Sequence, residues 1–516
     1  MNPSQLYACA MGGIILWLLV SRIIRVWAQR QHWPLGIVWL GGYLYRKIIF
    51  FVLRHLIYPQ VFRTRSRCWV LLQSIYWAGT LTCNFIKTDS LSSIAARAGN
   101  LAVLNFVPLV VAGRLSLVSD LLGLPIRSYV GMHGTLGIMT CIQTALHTTL
   151  TIRNRGWSPE HPVQFYGLLA LSAFCLSIAL LIIRGYLYEI FIKMHYILAL
   201  AALVAVWRHV RLQKAFAQIY MVVGSGILIG TTLLHWAILL VRNITLKQFG
   251  SRAQVHRGDG WAQVVIPVNR PFTVHAGMTV YIWMPGVSPF SMFYSHPFTV
   301  TWWELNKQGK ATSISILVQK KDGFTQSLVD HPGREFLTWI DGPYGERIDL
   351  SSYNNVLLVA SGIGIAAQIP YIRELLNHRP KRIFVAWELD DKSNLNWVYQ
   401  WMDQLLLQDQ ESYILRFGLY LPSRSNNSEH PEPWNSKHDR IWKLSGEIDP
   451  WKVVSTDFWR QSGTSLVTVS ANKRIRKGIT EVIQNKMEHV VDLLELPFQP
   501  GNPQMHQRQK TSTERV

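Results

Sequence analysis

The chain has 516 residues, 49% of them apolar and only 16% charged, yet its formal net charge is +21. Cationic flanks of membrane spans and a face turned toward anionic lipid account for that excess, and no nucleic-acid motif accompanies it, so no nucleic-acid partner is expected. All five cysteines (Cys9, Cys68, Cys83, Cys141, Cys175) fall in the apolar first half without C-x-x-C spacing and read as buried thiols.

In chain order, runs long enough to cross a bilayer lie near residues 5 to 27, 69 to 88, 98 to 118, 128 to 151, 163 to 184, 187 to 211 and 216 to 241, which predicts seven spans. A further stretch, 36 to 59, carries Arg46, Lys47 and Arg54 and reads as an interfacial helix. The run from 10 to 20 lacks a basic lead-in and continues into Arg22 and Arg25, as an anchor does and a cleaved signal does not. Between 28 and 68 stand Arg30, Arg46, Lys47, Arg54, Arg63, Arg65 and Arg67, a cytosolic signature that puts the amino terminus outside and everything after Arg242 in the cytosol. Arg97, Arg153, Arg155, Arg211 and Lys214 fall on the outer loops, so the asymmetry is a preference.

Within the fourth and sixth runs stand two histidine pairs, His133 with His147 and His195 with His209, each with the second residue fourteen after the first. At about 100° per residue, fourteen steps nearly close four turns, so both members of a pair share one helix face roughly 21 Å apart. One such histidine is ordinarily a hydrogen-bonded core residue. Four in register predict two haems clamped between two helices, each iron taking one imidazole from each helix. With the orientation above, His133 and His195 hold the inner haem and His147 and His209 the outer one.

From about residue 250 the pattern shifts to short alternating runs such as Ala262–Pro267 and Ser313–Val318, which predict a small antiparallel barrel. After Asp349, apolar strands at 356–360, 382–387 and 465–469 alternate with helical stretches at 366–377 and 474–490, a doubly wound arrangement. Residues 422–440 and the tail from Gln499 read as polar and disordered. The expected domains are therefore 1–68, a terminal span with a basic cytosolic segment; 69–245, a helical di-haem bundle; 246–348, the barrel; 349–498, the α/β domain; and 499–516, the tail.

Three motifs carry chemistry in the second half. Ser295-His296-Pro297-Phe298-Thr299-Val300 places aromatic rings and a hydroxyl in a barrel strand. Lys320-Lys321-Asp322-Gly323-Phe324-Thr325 ends a strand and offers cations, a glycine and a hydroxyl to a pyrophosphate. Val356 to Ser361, then Gly362-Ile363-Gly364-Ile365, is a strand running through a glycine turn into a helix, the arrangement that brings backbone N–H groups to a phosphate.

From about residue 90 to 500 the chain resembles the fungal ferric (metal) reductases of the flavocytochrome b superfamily, which also contains the NADPH oxidases. Arg97-Ala98-Gly99 with Asn105 and Ala112-Gly113-Arg114 is similar to the family's third span, and Tyr188-Glu189-Ile190-Phe191 before His195 to its haem helix. His296-Pro297-Phe298-Thr299 resembles its flavin motif, Asp341-Gly342-Pro343-Tyr344-Gly345 its domain junction, Ser361-Gly362-Ile363-Gly364 its nucleotide turn, and Glu495-Leu496-Pro497-Phe498 its aromatic C-terminal segment over the flavin. The resemblance implies an all-α transmembrane haem bundle followed by a ferredoxin-reductase-like module, an FAD barrel plus a nucleotide domain. It implies NADPH or NADH as hydride donor to FAD, two b haems across the membrane, and ferric or cupric chelates as acceptors. A plasma-membrane location is implied, with a vacuolar or other internal membrane as the alternative.

The chain departs from that pattern at the nucleotide end. Where relatives carry Cys-Gly-Pro, it reads Ser470-Ala471-Asn472, so the thiol near the nicotinamide is replaced by the Ser470 hydroxyl. Glu388, Asp390 and Glu447 stand where basic residues would suit a 2′-phosphate, and Lys473 and Arg474 follow closely. These departures leave two alternatives to the metalloreductase reading: a superoxide-generating oxidase, and a degenerate redox partner in a biosynthetic pathway.

Overall fold

The computed structural model describes residues 2–30, 60–62, 65–158, 160–211, 215–288, 291–292, 294–321, 323–331, 335–345, 347–378, 380–421, 432–433, 439–455, 464–485 and 491–496. They fall into two units, Met1–Trp236 and Ala237–Val516.

The first unit is helical: α1 (Pro3–Arg30), α2 (Arg67–Cys83), α3 (Leu91–Val111), α4 (Leu115–Leu122), α5 (Ile126–Arg155), α6 (Pro162–Ala179), α7 (Tyr188–Arg211) and most of α8 (Ala215–Asn243). Local chemistry sets the ends: Ser90 caps α3 through a capping box with Ser93, and Gly123 closes α4 in the left-handed conformation. Buried alanines at 170, 173, 202 and 205 let α6 and α7 approach closely, and Phe106 meets Phe174 edge-on at 5.2 Å. Outward-facing Trp17, Leu72, Ile182, Leu200 and Leu233 form the kind of apolar exterior that lipid tolerates and water does not. A polar node pins three helices together: the Tyr7 and Tyr76 hydroxyls each donate to Asn105 Oδ1 at 2.8 Å, while Asn105 Nδ2 donates to Leu101 O.

Among the described residues, five helical stretches are long and apolar enough to cross a membrane: Pro3–Ile24, Leu91–Leu122, Pro162–Gly185, Ile190–Arg211 and Phe216–Asn243. The chain is therefore a multi-pass membrane protein, and five of the seven expected runs meet that length and composition among the described residues. Both other segments are helices. At 17 residues α2 falls short of the roughly 20 that a hydrocarbon core requires, and α5 is made less apolar by Thr140 and Gln143, which the bundle buries completely. The stretch 36 to 59 lies outside the described residues. Of the four cysteines whose burial is described, Cys83 is buried as expected, while Cys9 and Cys175 are exposed and Cys141 is half-buried, because an apolar thiol on a lipid-facing surface has no need of a protein core.

The second unit begins with an antiparallel sheet of β1 (Ser251–Gly258), β2 (Trp261–Phe272), β3 (Thr279–Trp283), β4 (His296–Thr299), β5 (Trp302–Leu305), β6 (Ala311–Gln319) and β7 (Glu335–Tyr344), in the order β4-β3-β7-β1-β2-β6-β5. Alternation along β1 and β2 turns Val255, Val264 and Ile266 inward. Because β4 runs almost directly into β5, the two ends of the order meet and the sheet curls into a barrel. Asn243, at the end of α8, exchanges two hydrogen bonds with the Ile340 backbone, at 2.8 and 2.7 Å, and so ties that turn to β7.

A second sheet holds β8 (Asn355–Ser361), β9 (Arg382–Glu388), β10 (Leu415–Leu421), β11 (Glu432–Pro433), β12 (Ile441–Ser445), β13 (Ser465–Ser470) and β14 (Val491–Glu495), in the order β11-β12-β10-β9-β8-β13-β14. Every pairing except β11 with β12 is parallel, and β13 is buried along its whole length, as strands covered on both faces are. From β8 the chain steps outward through β9 and β10 to β12, then returns to β13 on the other side of β8. That reversal creates a crevice at the carboxyl ends of β8 and β13. Of the segment 422–440, expected to be a disordered polar loop, the described residues are 432–433, which form β11, and 439–440, where a buried Arg440 pairs with Asp409 at 2.9 Å; the rest lies outside the described residues.

Candidate functional site

In the first unit, the four histidines meet pairwise across α5 and α7. Ring centroids of His133 and His195 are 6.0 Å apart, and those of His147 and His209 are also 6.0 Å apart, with the planes of each pair at 77° and 82°. Two imidazole nitrogens about 2 Å from one metal, on opposite sides, place the ring centres about 6 Å apart. The residues therefore fit a bis-imidazole iron. Among the described residues no group of three or more His, Cys, Asp or Glu converges, so two protein ligands per pair is what these helices supply.

The ring nitrogens facing away from each pair are treated differently. His147 Nδ1 lies 2.8 Å from Ala95 O on α3, and His209 Nδ1 lies 2.7 Å from Val163 O on α6. Each carbonyl accepts the Nδ1 proton and so leaves Nε2 for a metal. Four residues after each carbonyl comes a glycine: a Cβ at Gly99 would stand 2.9 Å from His147 Nδ1, and one at Gly167 would stand 3.0 Å from His209 Nδ1. The helix pairs α3–α5 and α6–α7 thus repeat one device of carbonyl, glycine and imidazole. His133 Nδ1 and His195 Nδ1 are buried without a hydrogen-bond partner. Phe191 stacks on His195 at 5.6 Å, with the Arg184 guanidinium over its other side at 5.8 Å.

In the barrel, β4 divides the His296–Thr299 motif. Phe298 belongs to the barrel core, while His296 stacks on Phe324 at 3.9 Å and keeps its Nε2 buried without a partner. Burial pushes the His296 imidazolium down to about 4, so the ring is neutral near pH 7. Pro297 and Thr299 sit beside it on the same strand. The expected cation at Lys320 is taken up by Asp330 at 2.6 Å. Thr325 Oγ accepts from Lys321 N and donates to Lys321 O, both at 3.0 Å, locking the turn in which Gly323 adopts φ +79°. Burial also lowers the Lys321 ammonium from its usual range. Asp322 and Phe498 lie outside the described residues.

At the crevice of the parallel sheet, Gly362 takes φ +48°, and a Cβ at Gly364 would fall 1.9 Å from Ser470 O, so only glycine fits there. Ser361 Oγ accepts from Asn472 N at 2.7 Å. The Ser470 hydroxyl is buried without a partner and stands 3.1 Å from that same Cβ position. Ile365, expected beside the ligand, is a fully buried core residue because the helix it opens packs its first turn on the sheet. Glu388 accepts from Ile448 N at 2.7 Å, Arg474 Nη2 at 2.6 Å and Asn472 Nδ2 at 3.3 Å.

Sequence reasoning missed how the barrel and the α/β sheet are joined. Arg373, on α9 (Ile365–His378), stacks over Trp302 and Trp303 at 4.3 and 4.6 Å, Trp302 stacks on Trp401, and Glu374 Oε1 accepts from Ala276 N at 2.9 Å. The signal was an adjacent Arg-Glu in the middle of a mainly apolar helix.

Family profiles match in the same order as the folded parts: "Ferric reductase like transmembrane component" over residues 98–206, "FAD-binding domain" over 258–347 and "Ferric reductase NAD binding domain" over 353–490. Ferric/cupric reductase transmembrane component 2 of Saccharomyces cerevisiae is 27% identical over 302 residues, covering 55% of this chain and 40% of the relative. A probable ferric reductase transmembrane component of Candida albicans is 23% identical over 383 residues, covering 70% and 54%. The chain spans less than two thirds of the length of either relative. Among solved structures, a ferredoxin NADP+ reductase from Neisseria gonorrhoeae with bound FAD and NADP aligns over 48% of this chain and 97% of its own at 13% identity and a TM-score of 0.35, too distant to add to the assignment.

Proposed function

We propose that this chain, which has the domain composition of a fungal ferric reductase of the flavocytochrome b family, is a membrane metalloreductase that takes reducing equivalents from NAD(P)H and delivers single electrons to ferric or cupric chelates on the opposite face. The observation that carries the reading is the doubled histidine geometry, two pairs each with ring centres 6.0 Å apart. When bound, a flavin splits a hydride into single electrons and a haem iron accepts them one at a time.

The chain's own residues then position and insulate. His133 with His195, and His147 with His209, would hold two b haems, with Ala95 O and Val163 O orienting the second pair. Two imidazoles from the chain would leave no open position for oxygen or a chelate at each iron, which would favour outer-sphere transfer. His133 pairs with His195 and His147 with His209, so α5 and α7 run in the same direction with α6 between them. This supports α5 as a spanning helix despite its polar residues. Neutral His296 with Phe324 offers an apolar wall for a flavin, Pro297 and Thr299 border it, and Gly323 opens the adjoining turn. Ser361, Gly362 and Gly364 present backbone to the nucleotide, and the Ser470 hydroxyl lies beside that turn. The arginines between residues 28 and 68 favour nucleotide on the cytosolic side, and the plasma membrane is the proposed location.

The test uses cells expressing the chain, an impermeant ferric chelate outside and superoxide detection side by side. Ferrous chelate formation that survives superoxide dismutase supports the reading. Superoxide as the sole product would make the chain an oxidase, and neither product with reduced nucleotide supplied would make it a degenerate partner.

A further inference from the structure

We propose that the nucleotide this chain takes is one with a free 2′-hydroxyl, NADH over NADPH, and that Glu388 with its partner Arg474 makes the choice; this rests on the nucleotide reading of the crevice given above. In doubly wound folds the strand after the glycine turn ends near the adenosine ribose, where a carboxylate accepts from the ribose hydroxyls and a free arginine holds a 2′-phosphate. That strand is β9, and it ends at Glu388, in register with Ser361 of the turn. Glu388 is 7% exposed and held by three donors, so its carboxylate is fixed in place.

Among the described residues Arg474 is the arginine in reach, and each of its three nitrogens already has a partner. Nη2 meets Glu388 at 2.6 Å, Nε meets Glu447 at 3.3 Å, and Nη1 donates to Ile448 O at 2.8 Å. A bidentate phosphate would have to compete with two carboxylates for that guanidinium. Asp390 adds a third carboxylate, its Oδ2 only 2.6 Å from the position a Cβ would take on Gly362. Exposed Lys392 and Lys473 are nearby in sequence, but an ammonium on a flexible stem does not supply the planar fork that phosphate selection draws on. The replaced Cys-Gly-Pro has a part in this: it supplies Asn472, whose backbone N–H binds Ser361 Oγ and whose side chain steadies Glu388.

The experiment measures binding of ADP-ribose and of 2′-phospho-ADP-ribose to the full-length chain in detergent by titration calorimetry, a readout separate from turnover. ADP-ribose should bind at least tenfold tighter, about 1.4 kcal/mol. Glu388→Gln should narrow that ratio, and Glu447→Gln, at an exposed position, should narrow it severalfold by freeing one side of Arg474. Equal or tighter binding of the 2′-phosphorylated ligand by the unaltered chain would overturn the proposal, as would an unchanged ratio in both variants. If neither ligand binds, the nucleotide reading of the crevice itself fails.

Discussion

The two histidine pairs have the same ring separation, yet their surroundings differ. His147 and His209 are each keyed by a carbonyl and backed by a glycine on a neighbouring helix. His133 and His195 have no partner for Nδ1, and an aromatic ring stacked on His195 does the orienting. One pair is set by hydrogen bonds that fix tautomer and rotation, the other by packing, which fixes position but leaves the proton on Nδ1 unassigned. If both pairs hold haem, they should differ in how the ligands respond to substitution and in how the metals titrate.

The largest effect should come from removing a ligand. His209→Ala or His147→Ala should reduce a pyridine haemochrome count of two per chain to one, with the remaining spectrum low-spin. A count of two in either variant would break the pairing that both sites depend on.

Next are the glycines, which distinguish the two pairs directly. Gly99→Val and Gly167→Val drive a side chain into an imidazole that already stands 2.9 or 3.0 Å from the Cβ position. Each should lower haem content by a large fraction of one equivalent. Gly134→Ala, on α5 with nothing within 4 Å of its Cβ position, should leave the content unchanged. Equal loss in all three variants would mean that the effect reports general damage to the bundle and not the keyed pair.

What could be read from the sequence follows the range of the interaction. Fourteen-residue spacing is a property of one helix, so the pairing of His133 with His147 on one face was visible, as were strand alternation in the barrel and the glycine turn after Val359 and Ala360. Partners brought in from afar were not. The carbonyls of Ala95 and Val163 reach their histidines across 52 and 46 residues, and Arg474 reaches Glu388 across 86. Lys320 looked like a free cation because its Asp330 partner sits at the far end of a short helix, and Ile365 looked like a contact because a core residue and a lining residue share the same local pattern. The run 128 to 151 was read as a span from its length, but the inward burial of Thr140 and Gln143 on α5 was not visible.

The packing-set pair should be sensitive to Phe191. Its ring is buried and lies nearly parallel to His195, at 22°, so Phe191→Ala opens a cavity beside that ligand. A buried Phe→Ala change costs about 3–5 kcal/mol in typical cores. Haem at the His133–His195 pair should therefore be lost first as Phe191→Ala is heated, reversing the order expected after Gly167→Val. Thermal loss followed at the haem absorption band, with Phe191→Ala placed in His209→Ala to isolate this pair and in His133→Ala to isolate the other, reads the order. Loss from the His147–His209 pair first would assign the orienting role elsewhere.

The smallest expected effect is a difference in midpoint potential. An imidazole whose Nδ1–H is held by a carbonyl is a more basic ligand than one without that acceptor, and a more basic ligand favours the ferric over the ferrous state. The pair held by Ala95 O and Val163 O should therefore have the lower potential, with a separation of tens of millivolts, where about 59 mV is tenfold for one electron. Burial and nearby charge also set haem potentials, and Arg184, near His195 through Phe191, pushes the same way by disfavouring the added positive charge of the ferric state. Two contributions of one sign make the direction a firm expectation. Spectroelectrochemical titration of the unaltered chain should resolve two midpoints, and His209→Ala should retain the higher one. If the lower midpoint survives in that variant, the carbonyl bonds do not set the order, and the contrast between keyed and packed histidines is one of geometry alone.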